Sequence, residues 1–328
     1  MRVITEEHIH SFYTMKNSID AVEKALKIQQ EGNSMSPIRN QLYIEETNGN
    51  FLSMPSFVGE LKEVGIKLTT IFPGNTKHGK RALRSVFVLM DGTTGDYKAL
   101  IDFSLLTVFR TGALSGVATK YLARENADSC LVIGCGEQAK GQILAIIEVR
   151  ELKRIYLYNR SIEKALILKD YLQNEIGWDG DIEIVDNPDN YLGQTDIIIC
   201  STSSSQPVFN GKILKDGTHI NGIGSYMPHM QEVDIDTLKR SEKIVVDTLG
   251  GTLEEAGDFI IPKNRGEWDP KEIYGELGEL VLGRKGGRET ESEITFFKSV
   301  GFSTLDIVVA SEIYKMAKAK NIGRHIEF

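Results

Sequence analysis

Apolar positions along this chain follow two different rhythms. In residues 16–31, KNSIDAVEKALKIQQE, the residues Ile19, Val22, Ala25, Leu26 and Ile28 recur at helical spacing and predict an amphipathic helix. Strand-like segments follow at 39–45, 50–58, 65–72 and 85–91, and DGTTGDYKALID reads as a hairpin turning at Asp91, Gly92 and Gly95. A long helix rich in small residues is expected over 105–126. The rhythm then changes to short β-branched runs, Leu131-Val132-Ile133 and segments 154–160, 195–204, 218–225 and 243–248, separated by helical or turn sequence. Continuous apolar runs of that length argue for an α/β fold with a doubly wound parallel sheet, its strands buried by helices on both faces. The Gly- and charge-rich stretch 275–301 reads as a surface excursion with a short strand at 294–297, either a solvated connection or an active-site loop. The closing amphipathic helix, 304–320, is expected to pack back on the first, α+β part of the chain.

The most specific motif opens the second regime. Leu131-Val132-Ile133 runs into Gly134-Cys135-Gly136, and Ala-rich helical sequence follows at once. A strand that ends in Gly-x-Gly and turns into a helix is how a dinucleotide-binding unit begins. Gly134 permits the tight turn, Gly136 lets the backbone approach a pyrophosphate, and the phosphate rests on the free N–H groups of the helix. Ala139 stands in the third glycine position, a tolerated variant. NAD-preferring units end their second strand with Asp or Glu, which holds the ribose 2′-OH. Here that place reads Asn159-Arg160-Ser161, without a carboxylate, and Arg160 can meet a 2′-phosphate. The expected cofactor is therefore NADPH, with NADH as the alternative if Arg160 only caps the sheet edge.

Length and charge narrow the field. A chain of 328 residues suggests two domains. A formal net charge of −8 argues against nucleic acid or an anionic membrane as partner. No apolar run approaches the ~20 residues that span a bilayer, and the acid- and histidine-bearing start MRVITEEHIHSFY lacks the apolar core of a signal peptide, so a cytoplasmic protein is expected. Cys130, Cys135 and Cys200 lie in or beside predicted strands and read as reduced core thiols, Cys135 as a small side chain in a tight turn. The six histidines show no ligand spacing, and no metal is expected.

Three cations sit in unusual company. Lys67 interrupts the apolar strand GIKLTTIF, Arg110 lies among apolar and small residues in LLTVFRTGALSG, and Arg39 follows Pro37 at the start of a strand. Each taken singly fits an edge strand or a snorkelling side chain. Together they suggest a pocket for a small carboxylate, which arginine grips in bidentate fashion. A lysine desolvated beside two arginines has a lowered pKa, suited to proton transfer to a substrate nitrogen.

These residues resemble the ornithine cyclodeaminase/mu-crystallin family over essentially the whole chain. The likeness is carried by Pro37-Ile38-Arg39, Gly65-Ile66-Lys67 with Phe72-Pro73-Gly74-Asn75, and Arg110-Thr111-Gly112-Ala113 with Ala118-Thr119-Lys120-Tyr121-Leu122-Ala123. Gly134-Cys135-Gly136-Glu137-Gln138-Ala139, Ile220-Asn221-Gly222-Ile223-Gly224-Ser225 and Phe297-Lys298-Ser299-Val300-Gly301 complete it. The resemblance implies a homodimer with a Rossmann-type domain, 116–303, inserted into an α+β substrate-binding and dimerisation domain, 1–115 with 304–328. It implies that Arg39, Lys67 and Arg110 bind the substrate carboxylate, Lys67 near the reacting carbon. Thr111, Gly136, Gln138, Ala139, Asn159, Arg160, Thr202 and Ile223 would line the cofactor. Cyclodeaminases of the family carry Gly-Asp-x-Pro after the Asn-x-x-Gly strand, and their Asp handles the substrate amine. This chain reads Gly224-Ser225-Tyr226-Met227-Pro228, with Tyr226 in that place and Asp234, further on, reading as a helix start. Members without the acid resemble imine reductases, so the expected activity is NAD(P)H-dependent reduction of a cyclic imino acid, Δ1-pyrroline-2-carboxylate to L-proline, with Lys67 or water as proton donor. An ornithine cyclodeaminase or alanine dehydrogenase-like enzyme, and a non-catalytic binding protein, are the alternatives.

Overall fold

In the computed structural model, which describes residues 1–327, the strands of the first third form one mostly antiparallel sheet. Gly49–Val58, Glu63–Ile71, Leu83–Asp91 and Tyr97–Asp102 pair in succession. Ser34–Met35 and Asn40–Ile44 both join Gly49–Val58, and Arg2–Ile4 lies parallel to Tyr97–Asp102. The hairpin before Tyr97 is built as its residues demand: Asp91 Oδ1 accepts from the N–H groups of Thr93 and Thr94, and Gly95 takes φ +80°. The helix Met15–Gln30 starts at Thr14, whose hydroxyl accepts from Asn17 N–H, and buries Ile19, Val22, Ala25, Leu26 and Ile28. The last helix, Ser303–Ala319, packs on Met15–Gln30 and on strands Gly49–Val58 and Glu63–Ile71. Ser303 Oγ donates to the Pro55 carbonyl at 3.0 Å and Thr304 Oγ1 to Gln29 Oε1 at 2.6 Å, which fixes where that helix begins.

The second sheet has eight strands, all parallel, in the order Asp181–Ile184, Arg154–Tyr158, Ser129–Ile133, Ile197–Cys200, His219–Gly222, Thr295–Lys298, Lys243–Val246, Ile273–Glu276. Alternate residues supply two separate cores, Leu131, Ile133, Ile198, Cys200 and Ile220 on one face and Cys130, Val132, Ile155, Leu157, Ile197 and Ile199 on the other. Strand order reverses between Ser129–Ile133 and Ile197–Cys200, so a crevice opens beyond their carboxyl ends. The helix Ser104–Leu122 owes its small residues to a close approach: a Cβ on Gly112 would collide with the backbone of Gly141.

The chain divides into two compact units, Met1–Arg110 with Phe302–Phe328, and Thr111–Gly301. The first cut falls five residues before the boundary read from the sequence, inside the helix Ser104–Leu122. The stretch 275–301 is less of an excursion than its composition suggests. It begins in the edge strand Ile273–Glu276 and the helix Leu277–Val281, which buries Leu277 and Leu280, and Arg288 ties the following loop to the carbonyls of Leu122 and Glu293. Cys130, Cys135 and Cys200 are free thiols, all buried.

Candidate active site

The first unit brings Lys67 and Arg110 together on an anion that the sequence reading missed. Along Glu63–Ile71 the buried face carries Glu63, Gly65, Lys67 and Thr69, while Val64, Ile66 and Leu68 are half-buried on the other. The face of this strand turned to the interior is thus its polar one. Lys67 pairs across the sheet with Met54 and Phe87, and Gly65 leaves room for the Phe87 ring, which a Cβ there would strike. From above, the helix Ser303–Ala319 lowers Asp306 onto the same spot. Lys67 Nζ lies 2.7 Å from Asp306 Oδ2, and Arg110 Nε lies 3.2 Å from Asp306 Oδ1. All three side chains are buried, Asp306 completely. Burial, then the Arg110 charge, pulls the Lys67 pKa down from 10.5 to about 7; Arg39 adds to the fall and Asp306 opposes it. Arg39, half-buried just before Asn40–Ile44, therefore belongs to the same electrostatic site.

The second unit holds a cavity of about 450 Å³ at the strand-order reversal. Gly134, Gly136, Asn159, Arg160 and Thr202 line it, and so do Ser161, Lys164, Ser201, Ser203 and Ser204, which the motif reading did not name. Thr111, Gln138, Ala139 and Ile223 do not line it. Gly134 has φ +97°, and a Cβ there would sit 2.7 Å from the Ser201 carbonyl oxygen, so only glycine fits. Gly136 caps the helix Glu137–Val149 with open space on its Cβ side and no side-chain cap, which leaves the first N–H groups of the helix free for a phosphate. Asn159 ties the two phosphate-side loops together: its Oδ1 accepts from Cys135 N–H at 3.0 Å and its Nδ2 donates to the Ser161 carbonyl at 2.9 Å. Burial pushes the Cys135 thiol up to about 12, so it is inert packing in the turn. The fit to a dinucleotide rests on this glycine turn and on the uncapped helix N-terminus beside it.

A buried carboxylate fixes the far wall. Glu232 accepts from Thr202 N–H (2.6 Å) and Oγ1 (2.8 Å) with one oxygen, and from Gly224 N–H (2.7 Å) and Ser225 N–H (3.0 Å) with the other. Its own N–H donates to Asp258 Oδ1 at 2.6 Å, and Asp258 Oδ2 meets Lys298 Nζ at 2.7 Å. Tyr226 is half-buried against the sheet core. Asp234 accepts from Thr237 N–H as a helix N-cap and takes no part in the cavity. Among the described residues no cluster of His, Cys, Asp and Glu is arranged to hold a metal, and no helix is long and apolar enough to cross a membrane.

Residues 1–321 match the model of the ornithine cyclodeaminase/mu-crystallin family. A Delta(1)-pyrroline-2-carboxylate reductase of Bacillus cereus is 39% identical over 328 residues, 100% of both chains. The structure of the Thermococcus litoralis Delta(1)-pyrroline-2-carboxylate reductase in complex with NADH and L-proline is similar with a TM-score of 0.95 at 34% identity, covering 99% of this chain and 100% of that one. An archaeal alanine dehydrogenase dimer with bound NAD is similar with a TM-score of 0.92 at 30% identity, covering 100% of this chain and 99% of that one.

Proposed function

Because the chain belongs to the ornithine cyclodeaminase/mu-crystallin family, we infer that it is an NAD(P)H-dependent reductase of a cyclic imino acid, converting Δ1-pyrroline-2-carboxylate to L-proline. The observation that carries the reading is the buried cation site kept intact without a substrate-amine acid. Lys67 and Arg110 stand together with Arg39 in reach, while Tyr226 occupies the position of the cyclodeaminase Asp. Full-length likeness to reductases of this imino acid supports it.

Arg39, Lys67 and Arg110 take the substrate carboxylate, which orients the C=N bond. Lys67, with a pKa of about 7, gives a proton to the ring nitrogen and makes the carbon electrophilic. The chemistry a bound reduced nicotinamide supplies is hydride donation to that carbon. Gly134 and Gly136 would hold the pyrophosphate, with Asn159 and Thr202 beside it in the cavity; Thr111, Gln138, Ala139 and Ile223, which the resemblance implies as further cofactor residues, stand outside that lining. NADPH is the preferred form. Two cations, Arg160 and Lys164, and no carboxylate line the cavity at the end of the second strand, where a 2′-phosphate would lie. The active species is a homodimer acting in the cytoplasm, without nucleic acid or membrane as partner.

NADPH oxidation measured side by side with Δ1-pyrroline-2-carboxylate, its six-membered homologue and pyruvate plus ammonia tests this reading. Turnover of the cyclic imines is expected. Turnover only with pyruvate plus ammonia would move the protein to amino-acid dehydrogenation. In the same assay Arg160→Ala should weaken NADPH at least ~10-fold while sparing NADH, as loss of a charge-assisted phosphate contact predicts. Equal losses for both cofactors would remove the phosphate role.

A further inference from the structure

We propose that Asp306 is the positioning residue of the cation site, a resident carboxylate that holds Lys67 and Arg110 at one point and keeps Lys67 charged until the substrate carboxylate arrives. The proposal rests on the reading of this site as an imino-acid carboxylate site and deepens it.

The geometry is specific. Each Asp306 oxygen faces a different cation, Lys67 at 2.7 Å and Arg110 at 3.2 Å, so a single carboxylate spans cations from a strand and from another helix. Its neighbours Leu305, Ile307 and Val308 are all fully buried, which makes Asp306 the lone charge on the buried start of that helix. The first turn of a 17-residue helix is also where backbone N–H groups favour a negative charge. Ser303 and Thr304 anchor the same turn through their bonds to Pro55 and Gln29, so the carboxylate cannot drift.

Burial, Arg110 and Arg39 disfavour the charged form of Lys67, and the Asp306 carboxylate favours it. A bound substrate carboxylate would favour it too. In its absence Asp306 is the group that offsets burial and the two arginines.

The test uses the full-length protein with Asp306→Asn and Asp306→Glu. Binding of pyrrole-2-carboxylate, a flat five-membered-ring carboxylate, is followed by calorimetry across pH, and NADPH binding is followed by fluorescence. In Asp306→Asn, carboxylate binding should weaken at least ~10-fold, and its loss with rising pH should move down by roughly one to three pH units, the usual effect of an opposite charge at this range. NADPH affinity should stay at the wild-type value. Asp306→Glu keeps the charge but shifts it by one methylene, so it should retain the wild-type pH dependence while binding the carboxylate several-fold more weakly. If Asp306→Asn binds the carboxylate with the wild-type affinity and pH dependence and only melts earlier, Asp306 is merely structural and the proposal falls. If Asp306→Asn fails to fold, unchanged affinity in Asp306→Glu overturns the proposal just as well. Wild-type binding of the carboxylate without turnover of any cyclic imine would sink the reductase reading and leave the role of Asp306 standing.

Discussion

Lys67 is exposed to two opposite pH dependences, and they can be separated. The folded chain gives up the Lys67 proton near pH 7, whereas the unfolded chain holds it to about 10.5. Between those values the unfolded state binds more protons, so this residue makes stability rise with pH across that window. Carboxylate binding needs the charged form and should fall across the same window. Comparing wild type with Lys67→Met by thermal melting from pH 7 to 10 should therefore show wild type gaining on the variant as pH rises, while its KM for the imine climbs. A wild-type advantage that stays flat with pH would mean that Lys67 is not titrating in the folded protein. The sequence made Lys67 and Arg110 visible because a cation among apolar neighbours is conspicuous. Asp306 was hidden because an acid in the first turn of a helix is ordinary helix chemistry, and only the fold brings that turn over Lys67.

At the level of elements, the central strands were legible and the wall of the cavity was not. Runs such as Ile197–Cys200 and Lys243–Val246 are buried on both faces and so read as continuous apolar sequence. The edge strand Asp181–Ile184 alternates exposed Asp181 and Glu183 with the less exposed Ile182 and Ile184, and Ile273–Glu276 is only partly buried; neither carries that signal. The Gly134 turn was legible because a local backbone rule demands glycine. Glu232 was not, since what matters about it is four donors drawn from two distant loops, 202 and 224–225. That wall of the cavity therefore depends on one carboxylate. In Glu232→Gln one oxygen becomes an N–H donor, so part of that donor set faces another donor. Each orphaned buried N–H costs about 1–3 kcal/mol. The variant should melt earlier and bind NADPH at least ~10-fold more weakly, with pyrrole-2-carboxylate binding unchanged because that site belongs to the other unit. Intact NADPH affinity in a folded Glu232→Gln would show that the network does not shape the cavity.

At the scale of the molecule, composition and periodicity do not tell which surface is sticky. The strand Asn40–Ile44 pairs on one edge with Gly49–Val58, yet all five of its residues are exposed. Met35, Ile38, Leu42 and Tyr43 are 63%, 51%, 64% and 55% exposed, a density of apolar side chains that a lone soluble protomer rarely leaves uncovered. A strand with neither face buried gains little beyond its ladder hydrogen bonds. A second copy of the chain resting on this patch would bury it and would also steady the segment that carries Arg39. Homodimerisation through this face therefore predicts a coupled loss. Leu42→Asp combined with Tyr43→Asp should give a monomer by light scattering at micromolar concentration, with a raised KM for the imine from a loosened Arg39 and with NADPH affinity kept, since the cavity proposed for the dinucleotide is lined wholly by residues of the other unit. A wild-type protein that is already monomeric at those concentrations, or a double variant that stays dimeric, would take the dimer off this surface. If the variant became monomeric with an unchanged KM, assembly and the Arg39 side of the substrate site would be independent.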